Sequence, residues 1–280
     1  MFRDFLMLLR RYTASSVLNI VGMALAFASA YLILVQVNFD MSYNRKITNA
    51  ENIYRMERPS TTKEGYWLAM WNRYDPSELC EGIPEIVAIT NMSPYVLMQT
   101  LPYTLSRDNS IYNLNIRTGT SERQGLDLFE FIPVTGSFDQ FTGPNTAIVS
   151  TSYAKQHGLS VGDVLRAVDD MPYINITANK PITIVAIYQD IPAPSDLSEC
   201  NMIIGMPPKE QTARNTWSCH AFIRLQAGAS PEVVTAKMIS QLRERYAKGG
   251  MSPEEIELEL KKSEPRLNNL KDLYFHSGNV

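Results

Sequence analysis

The chain carries three histidines, His157, His220 and His276, and three cysteines, Cys80, Cys200 and Cys219. A metal or nucleophile site needs two or more such groups at a short spacing fixed by one element, and these six are scattered along the chain. The one adjacent pair is Cys219-His220, the residue types of a thiol nucleophile and its base. Trp217 to Gln226 alternates as a strand does, and neighbours on a strand project to opposite faces. The two side chains therefore cannot meet and are expected to be structural. Asp169-Asp170 and Glu254-Glu255 are carboxylate pairs. The first falls in a turn. The second opens a helix, where negative charge complements the dipole, and both read as solvated surface. No H-E-x-x-H, C-x-x-C, G-x-S-x-G, P-loop or G-x-G-x-x-G occurs. The residues predict no enzyme activity, no metal and no cofactor. Three cysteines are too few for a disulfide scaffold. Cys200 with Cys219 is the pair an oxidising compartment would join, and buried free thiols are the expected state.

Charge excludes another class. The chain has 26 Lys and Arg against 29 Asp and Glu, a net charge of −3. Arg3, Arg10 and Arg11 lie at the N-terminus, opposed there by Asp4, so the remainder is more acidic still. Nucleic-acid binding, which uses basic patches, is not expected.

From Tyr12 to Phe39 there is no ionisable side chain other than tyrosine. About 20 helical residues cross a hydrocarbon core roughly 30 Å thick, so this run is long enough to span a membrane. Ala26, Ala28 and Ala30 offer an A-x-A-like cleavage site, and a cleavable leader is the rival reading. The apolar run continues past Ala30 to Val37, longer than a leader needs, and a retained anchor is expected. Basic residues before the span place the N-terminus in the cytoplasm and residues 40–280 outside, in the periplasm of a bacterium. Residues 2–12 alternate as a short interfacial amphipathic helix does.

Behind the span, residues 40–50 are expected to prolong the helix as a stalk, with Asp40, Tyr43 and Arg45 as structural transmitters. A strand follows over 52–57, a helix over 75–82 and a strand over 84–98. Short strands are predicted at 101–106, 111–117, 131–135, 146–150, 163–168 and 182–190, with helices at 121–129 and 151–157. After the strand at 217–226, Ser230-Pro-Glu opens a helix whose buried face comprises Val233, Val234, Met238, Leu242 and Tyr246. A second helix spans 253–262 and a strand 266–275. The fold class is α+β: one N-terminal transmembrane helix and stalk, then a split βαβ unit with an inserted β-rich subdomain. The expected divisions are 1–12 cytoplasmic, 13–39 transmembrane, 40–50 stalk and 51–280 periplasmic. Within the last, 51–99 and 216–280 form the α/β part and 100–215 the insert.

Several stretches in order resemble one family. Leu18-Asn19-Ile20-Val21-Gly22-Met23-Ala24 is similar to its L-N-I-x-G-L-A, Ser42-Tyr43-Asn44 to S-Y-D, and Asn52-Ile53-Tyr54-Arg55 to R-I-Y-R. Gly82-Ile-Pro-Glu85 is similar to its F-P-E strand entry, and Leu126-Asp-Leu-Phe129 to F-x-x-F. Asn145 to Ser150 with Tyr153-Ala-Lys155, and Val161-Gly162-Asp163, resemble V-V-L-S-x-x-x-A-x-K and L-G-K. Ile184 to Ile187 with Asp190-Ile-Pro192 resembles G-V-x-x-D-x-P. Together they resemble the N-terminal helix and periplasmic domain of MacB/FtsX-type ABC transporter permeases. Asn44 stands where the family has Asp, and Ala186 where Gly is common. The resemblance implies a split porter-like unit and a non-catalytic permease component of the inner membrane, in contact with lipid. It also implies a cytoplasmic ABC ATPase partner and a dimer with itself or a paralogous permease. The family has three further membrane helices after this domain, so the expectation is a fragment, a split gene product, or helices on another chain. The rival class is a membrane-anchored periplasmic binding or sensor domain without an ATPase; an anchored hydrolase ranks below both.

Overall fold

The computed structural model describes residues 13–93, 99–107, 110–171, 176–214, 216 and 218–276. The expected interfacial helix over 2–12, the strand residues 94–98 and Trp217 lie outside that set. The chain divides into two compact units, residues 1–43 and 44–280.

The first unit is one helix, α1, Thr13–Ser42, long and apolar enough to cross a membrane. It contains no proline, and at about 1.5 Å per residue it extends about 45 Å. Its polar side chains are absorbed locally: Ser29 Oγ donates to Leu25 O at 2.8 Å and Ser42 Oγ to Phe39 O at 3.0 Å. The expected helical stalk over 40–50 is corrected here, since the helix ends at Ser42. Asn44 and Asn49 both take left-handed backbone angles, φ 58° and 57°, which an α-helix cannot continue through. Turns occupy 43–49, and one 3₁₀ turn follows at Ala50–Asn52.

The second unit is built on a sheet of 13 strands. In chain order its elements are β1 Ile53–Pro59, β2 Trp67–Leu68, β3 Met70–Trp71, α2 Asp75–Cys80 and β4 Ile86–Met92. Then come β5 Gln99–Arg107, β6 Ser110–Ser121, α3 Arg123–Leu128, β7 Pro133–Gly136, β8 Thr146–Ser150 and α4 Thr151–His157. β9 Val164–Ala167, β10 Pro181–Tyr188, β11 Met202–Gly205 and β12 Cys219–Leu225 follow. The C-terminal part holds α5 Pro231–Lys248, α6 Pro253–Ser263, β13 Arg266–Asn269 and α7 Leu273–His276.

The sheet order is β11-β8-β10-β9-β5-β6-β4-β12-β1-β13, and β11 also pairs with β6 in parallel. That extra pairing closes β6, β11, β8, β10, β9 and β5 into a ring. One side-chain parity from all six strands fills its interior, including Tyr103, Ile116, Val149, Leu165, Ile184 and Ile204. The other four strands of the path continue from β6, joined to it through the single pair Met92↔Ser121. Against them pack α2, α5 and α6, burying Leu79, Val234, Met238, Leu242, Ile256 and Leu260. A third cluster, with Phe129, Phe131, Tyr188, Phe222 and Leu270, lies between these two and takes in Ile47, Ala50 and Ile53. All three clusters belong to residues 44–280, whereas α1 buries none of its own residues. The domain therefore carries its own core and folds on its own.

Local chemistry explains the helix starts. Ser230 Oγ accepts from Val233 N at 3.2 Å with Pro231 behind it. Ser252 and Glu255 form a reciprocal capping box, so Glu255, exposed as expected, also caps the helix. Other details differ from expectation. Val233 is half exposed and off the buried face of α5. The terminal strand stops at Asn269, whose Oδ1 accepts from Lys271 N at 3.0 Å and turns the chain into a 3₁₀ turn and α7. β11 was not anticipated, since Met-Ile-Ile-Gly is short, unalternating and buried throughout. On β1, Glu57 accepts from Arg55 Nη2 at 2.6 Å, from Arg266 Nε at 3.0 Å and from Asn268 Nδ2 at 3.0 Å. Burial pushes this carboxyl's pKa up, but Arg55 and Arg266 outweigh it and hold the group below its ordinary value.

Candidate functional site

Of the three stalk residues, Asp40 and Tyr43 belong to the first unit, where Tyr43 N donates to Asp40 O at 3.3 Å, and Arg45 belongs to the second. Asp40 sits in the last turns of α1, where Gln36 Nε2 donates to its Oδ1 at 2.8 Å. Tyr43 closes the first unit, its ring edge-on to Phe39 with centroids 6.1 Å apart. Arg45 is exposed, on a turn of the second unit. A continuing helix would have carried its register on to Arg45; the left-handed turn at Asn44 ends it.

What the structure gathers instead is the segment after the helix, residues 44–53. Asn44 is fully buried; its backbone N donates to Pro194 O at 2.9 Å and its Nδ2 to Leu270 O at 3.0 Å. Lys46 Nζ reaches Ala193 O at 2.9 Å. Asn49 Nδ2 donates to Glu130 Oε1 at 2.6 Å, and Arg224 Nη1 reaches the same oxygen at 3.0 Å. Glu51 pairs with Lys271 at 3.1 Å, and Asn269 Nδ2 donates to Glu51 O at 2.9 Å. A backbone hydrogen bond first, and Lys271 second, hold the Glu51 carboxyl below its ordinary pKa. Ile47, Ala50 and Ile53 anchor the segment in the core. One short stretch is thus tied to the 190–194 loop, to Glu130 and to residues 269–271. Asparagine tolerates the left-handed backbone because its short amide bonds locally. The signal in the sequence was Asn44 itself, standing where the resembled family has Asp. An amide can donate to the Leu270 carbonyl, and a carboxylate cannot.

The remaining chemistry-bearing residues are structural. Cys219 packs in the cluster with α5 and α6, while His220 lies toward Phe222 at 6.5 Å between rings, on the other face, as the alternation requires. Burial, then the Arg55 charge, drives the His220 pKa down to about 3, so the ring is neutral at pH 7. Burial pushes the free thiols Cys80, Cys200 and Cys219 up to about 12, far from a thiolate nucleophile. Among the described residues no three His, Cys, Asp or Glu side chains converge as metal ligands.

An apolar helix of membrane-spanning length followed in the chain by a sheet-rich domain defines the class: an α+β domain behind an N-terminal candidate membrane span. The chain belongs to the MacB-like periplasmic core domain family, whose model matches residues 16–241. This is the periplasmic domain of ABC-type transporter permeases. Among solved structures, a domain described as that of a permease protein from Porphyromonas gingivalis is similar, with a TM-score of 0.55 and 22% identity. The match covers 80% of this chain and 92% of that one, and at that identity it shows a shared fold. The periplasmic region of MacB from Actinobacillus actinomycetemcomitans aligns with a TM-score of 0.49 and 11% identity, over 84% of this chain and 96% of that one. The extracellular domain of the noncanonic ABC-type transporter YknZ from Gram-positive bacteria aligns at 0.47 and 11%, over 78% and 100%. A comparison with curated proteins finds no match.

Proposed function

We propose that this chain is a non-catalytic permease component of a MacB/FtsX-type ABC transporter, which couples cytoplasmic ATP hydrolysis to export or release of a substrate by its periplasmic domain. The observation that carries the reading is the extent of the family match, from residue 16 inside α1 to residue 241 inside α5. Helix and domain are one inherited unit, which favours a retained anchor over a cleaved leader. Arg3, Arg10 and Arg11 before the helix support a cytoplasmic N-terminus in the inner membrane, with residues 40–280 in the periplasm. On this reading α1 contacts lipid, the ATPase acts through further membrane helices, and a second copy or a paralogue completes a dimer. Asp40, Tyr43 and Arg45 hand movement from helix to domain.

Affinity purification of the full chain from cell membranes tests the reading. The expected result is co-purification of an ABC ATPase. Recovery of the chain without any ATPase would instead favour an anchored binding or sensor domain. A Gly-rich insertion after Phe39 is expected to abolish transport while leaving the domain folded, and a fully active insertion variant would refute the coupling.

A further inference from the structure

On the α/β side of the domain, between β3 and the helices α2, α5 and α6, lies a cleft of about 390 Å³. Small-molecule sites span roughly 300–1,000 Å³. Its floor is apolar: Trp71, Leu79 and Leu242 are 3%, 1% and 5% exposed. The floor's polar atom is already satisfied, since the Trp71 indole N–H donates to Met56 O at 2.9 Å. Tyr246 walls one side, with its hydroxyl 2.8 Å from Ser263 Oγ.

The rim is charged and unevenly so. Arg58, Arg245 and Lys262 face Asp75 and Glu259, one cation in excess. Arg58 is fixed by Nε donating to Met70 O at 3.1 Å. Arg245 has Glu78 at 3.3 Å and Asp75 at 4.0 Å, and Lys262 has Glu259 at 3.1 Å. These last three contacts are half-exposed ion pairs, which are weak and readily exchanged for another anion. Asp75 meanwhile accepts from Asn72 Nδ2 at 2.6 Å and is shared with Arg214 at 3.6 Å, a cation outside the cleft lining. An apolar floor under a rim with surplus, exchangeable positive charge is complementary to one kind of molecule.

We propose that this cleft binds a small amphipathic organic anion, with an apolar body seated on Trp71, Leu79 and Leu242 and a single acidic head at Arg245 and Lys262. The inference rests on the cleft alone and stands whether or not an ATPase drives the chain.

The test uses residues 44–280, which carry the complete core, and two dyes differing by one sulfonate. 8-Anilinonaphthalene-1-sulfonate has an aromatic body and one anionic head; N-phenyl-1-naphthylamine is the same body without the head. The sulfonate dye is expected to bind saturably with one-to-one stoichiometry. Thr61 is exposed at the mouth, and Thr61→Trp is expected to block binding without touching the core. The double variant Arg245→Gln/Lys262→Gln is expected to weaken the sulfonate dye about three- to tenfold and to leave the neutral dye unchanged. Unaltered urea midpoints would show that both variants fold. The proposal is overturned if the sulfonate dye fails to saturate or is indifferent to Thr61→Trp. It is equally overturned if the neutral dye binds as tightly and the charge variant changes nothing.

Discussion

Asn44 offers the sharpest test of how the domain begins. It is fully buried, left-handed at φ 58°, and its amide donates to a carbonyl 226 residues away in the chain, Leu270 O. Substituting glycine keeps the backbone conformation and removes the side-chain bond, leaving a buried carbonyl unpaired; that costs about 1–2 kcal/mol. Substituting alanine removes the same bond and, like asparagine, keeps a Cβ in the left-handed region, a strain of about 1–2 kcal/mol that only the glycine variant escapes. Glycine's own entropic disadvantage, about 0.5–1 kcal/mol, offsets part of the gap. Asn44→Ala is therefore expected to cost about 2 kcal/mol and to exceed Asn44→Gly by about 1 kcal/mol. In a domain of this size, each kcal/mol lowers Tm by about 2–4 °C. Urea and thermal unfolding of the full chain in detergent, followed by tryptophan fluorescence, give both values. Amide exchange should also rise at residues 270–276 in both variants. Equal losses in the two variants would refute the backbone argument. Losses below about 0.5 kcal/mol in both would refute the joint itself.

His220 is held near a pKa of about 3, well under its ordinary value of 6.5. The unfolded chain thus binds more protons there, and stability is full above about pH 6.5 and falls as pH drops, by about 1.4 kcal/mol per unit. Urea midpoints between pH 6.5 and 5, above the carboxylate range, isolate this group. His220→Gln should flatten the slope, and an unchanged slope would refute the assignment. Glu57→Gln leaves Arg55, 4% exposed at its side chain, and Arg266 facing a neutral amide. The expected cost is about 3–5 kcal/mol, read as a lower urea midpoint. Gly136 has φ 81°, and a Cβ there would strike Val185 O on the neighbouring strand. Gly136→Ala should cost at least ~2 kcal/mol in the same assay, and a stable variant would contradict the β7–β10 packing.

Much of this fold was legible, for identifiable reasons. The apolar run gave α1 because its length matches a bilayer and no proline interrupts it. Ser230-Pro and Ser252-Pro gave the starts of α5 and α6, since caps act within one turn. The same holds for α4, which ends at Gly158 with φ 62°. The ring closure was not legible. It depends on β11, whose four buried residues carry no alternation, pairing with β6 some 80 residues earlier. Long-range pairing leaves no local trace in one sequence. The stalk residues, too, lie along an assumed helix, although Asn44, a residue type that tolerates the left-handed backbone, stands inside it.

That last difference alters what a mechanical reading must explain. A helix running through residue 50 would deliver movement as a lever of fixed direction. Residues 44–53 instead enter the domain as a hydrogen-bonded knot, with ties at Ala193 and Pro194, at Glu130 and at Leu270. Glu130 lies just beyond α3, and residues 193–194 follow β10 of the ring, while Leu270 follows β13 at the far end of the sheet path. Under the coupling reading, a displacement arriving at Asn44 would reach the ring side and the β13 side together, through separate bonds. Each bond is worth only about 1 kcal/mol net, but losing a buried partner costs more than the bond itself. Under the coupling reading, Asn44 and Asn49 are then stronger candidates for transmission than exposed Arg45. Their replacement should uncouple the two sides of the domain before it unfolds either.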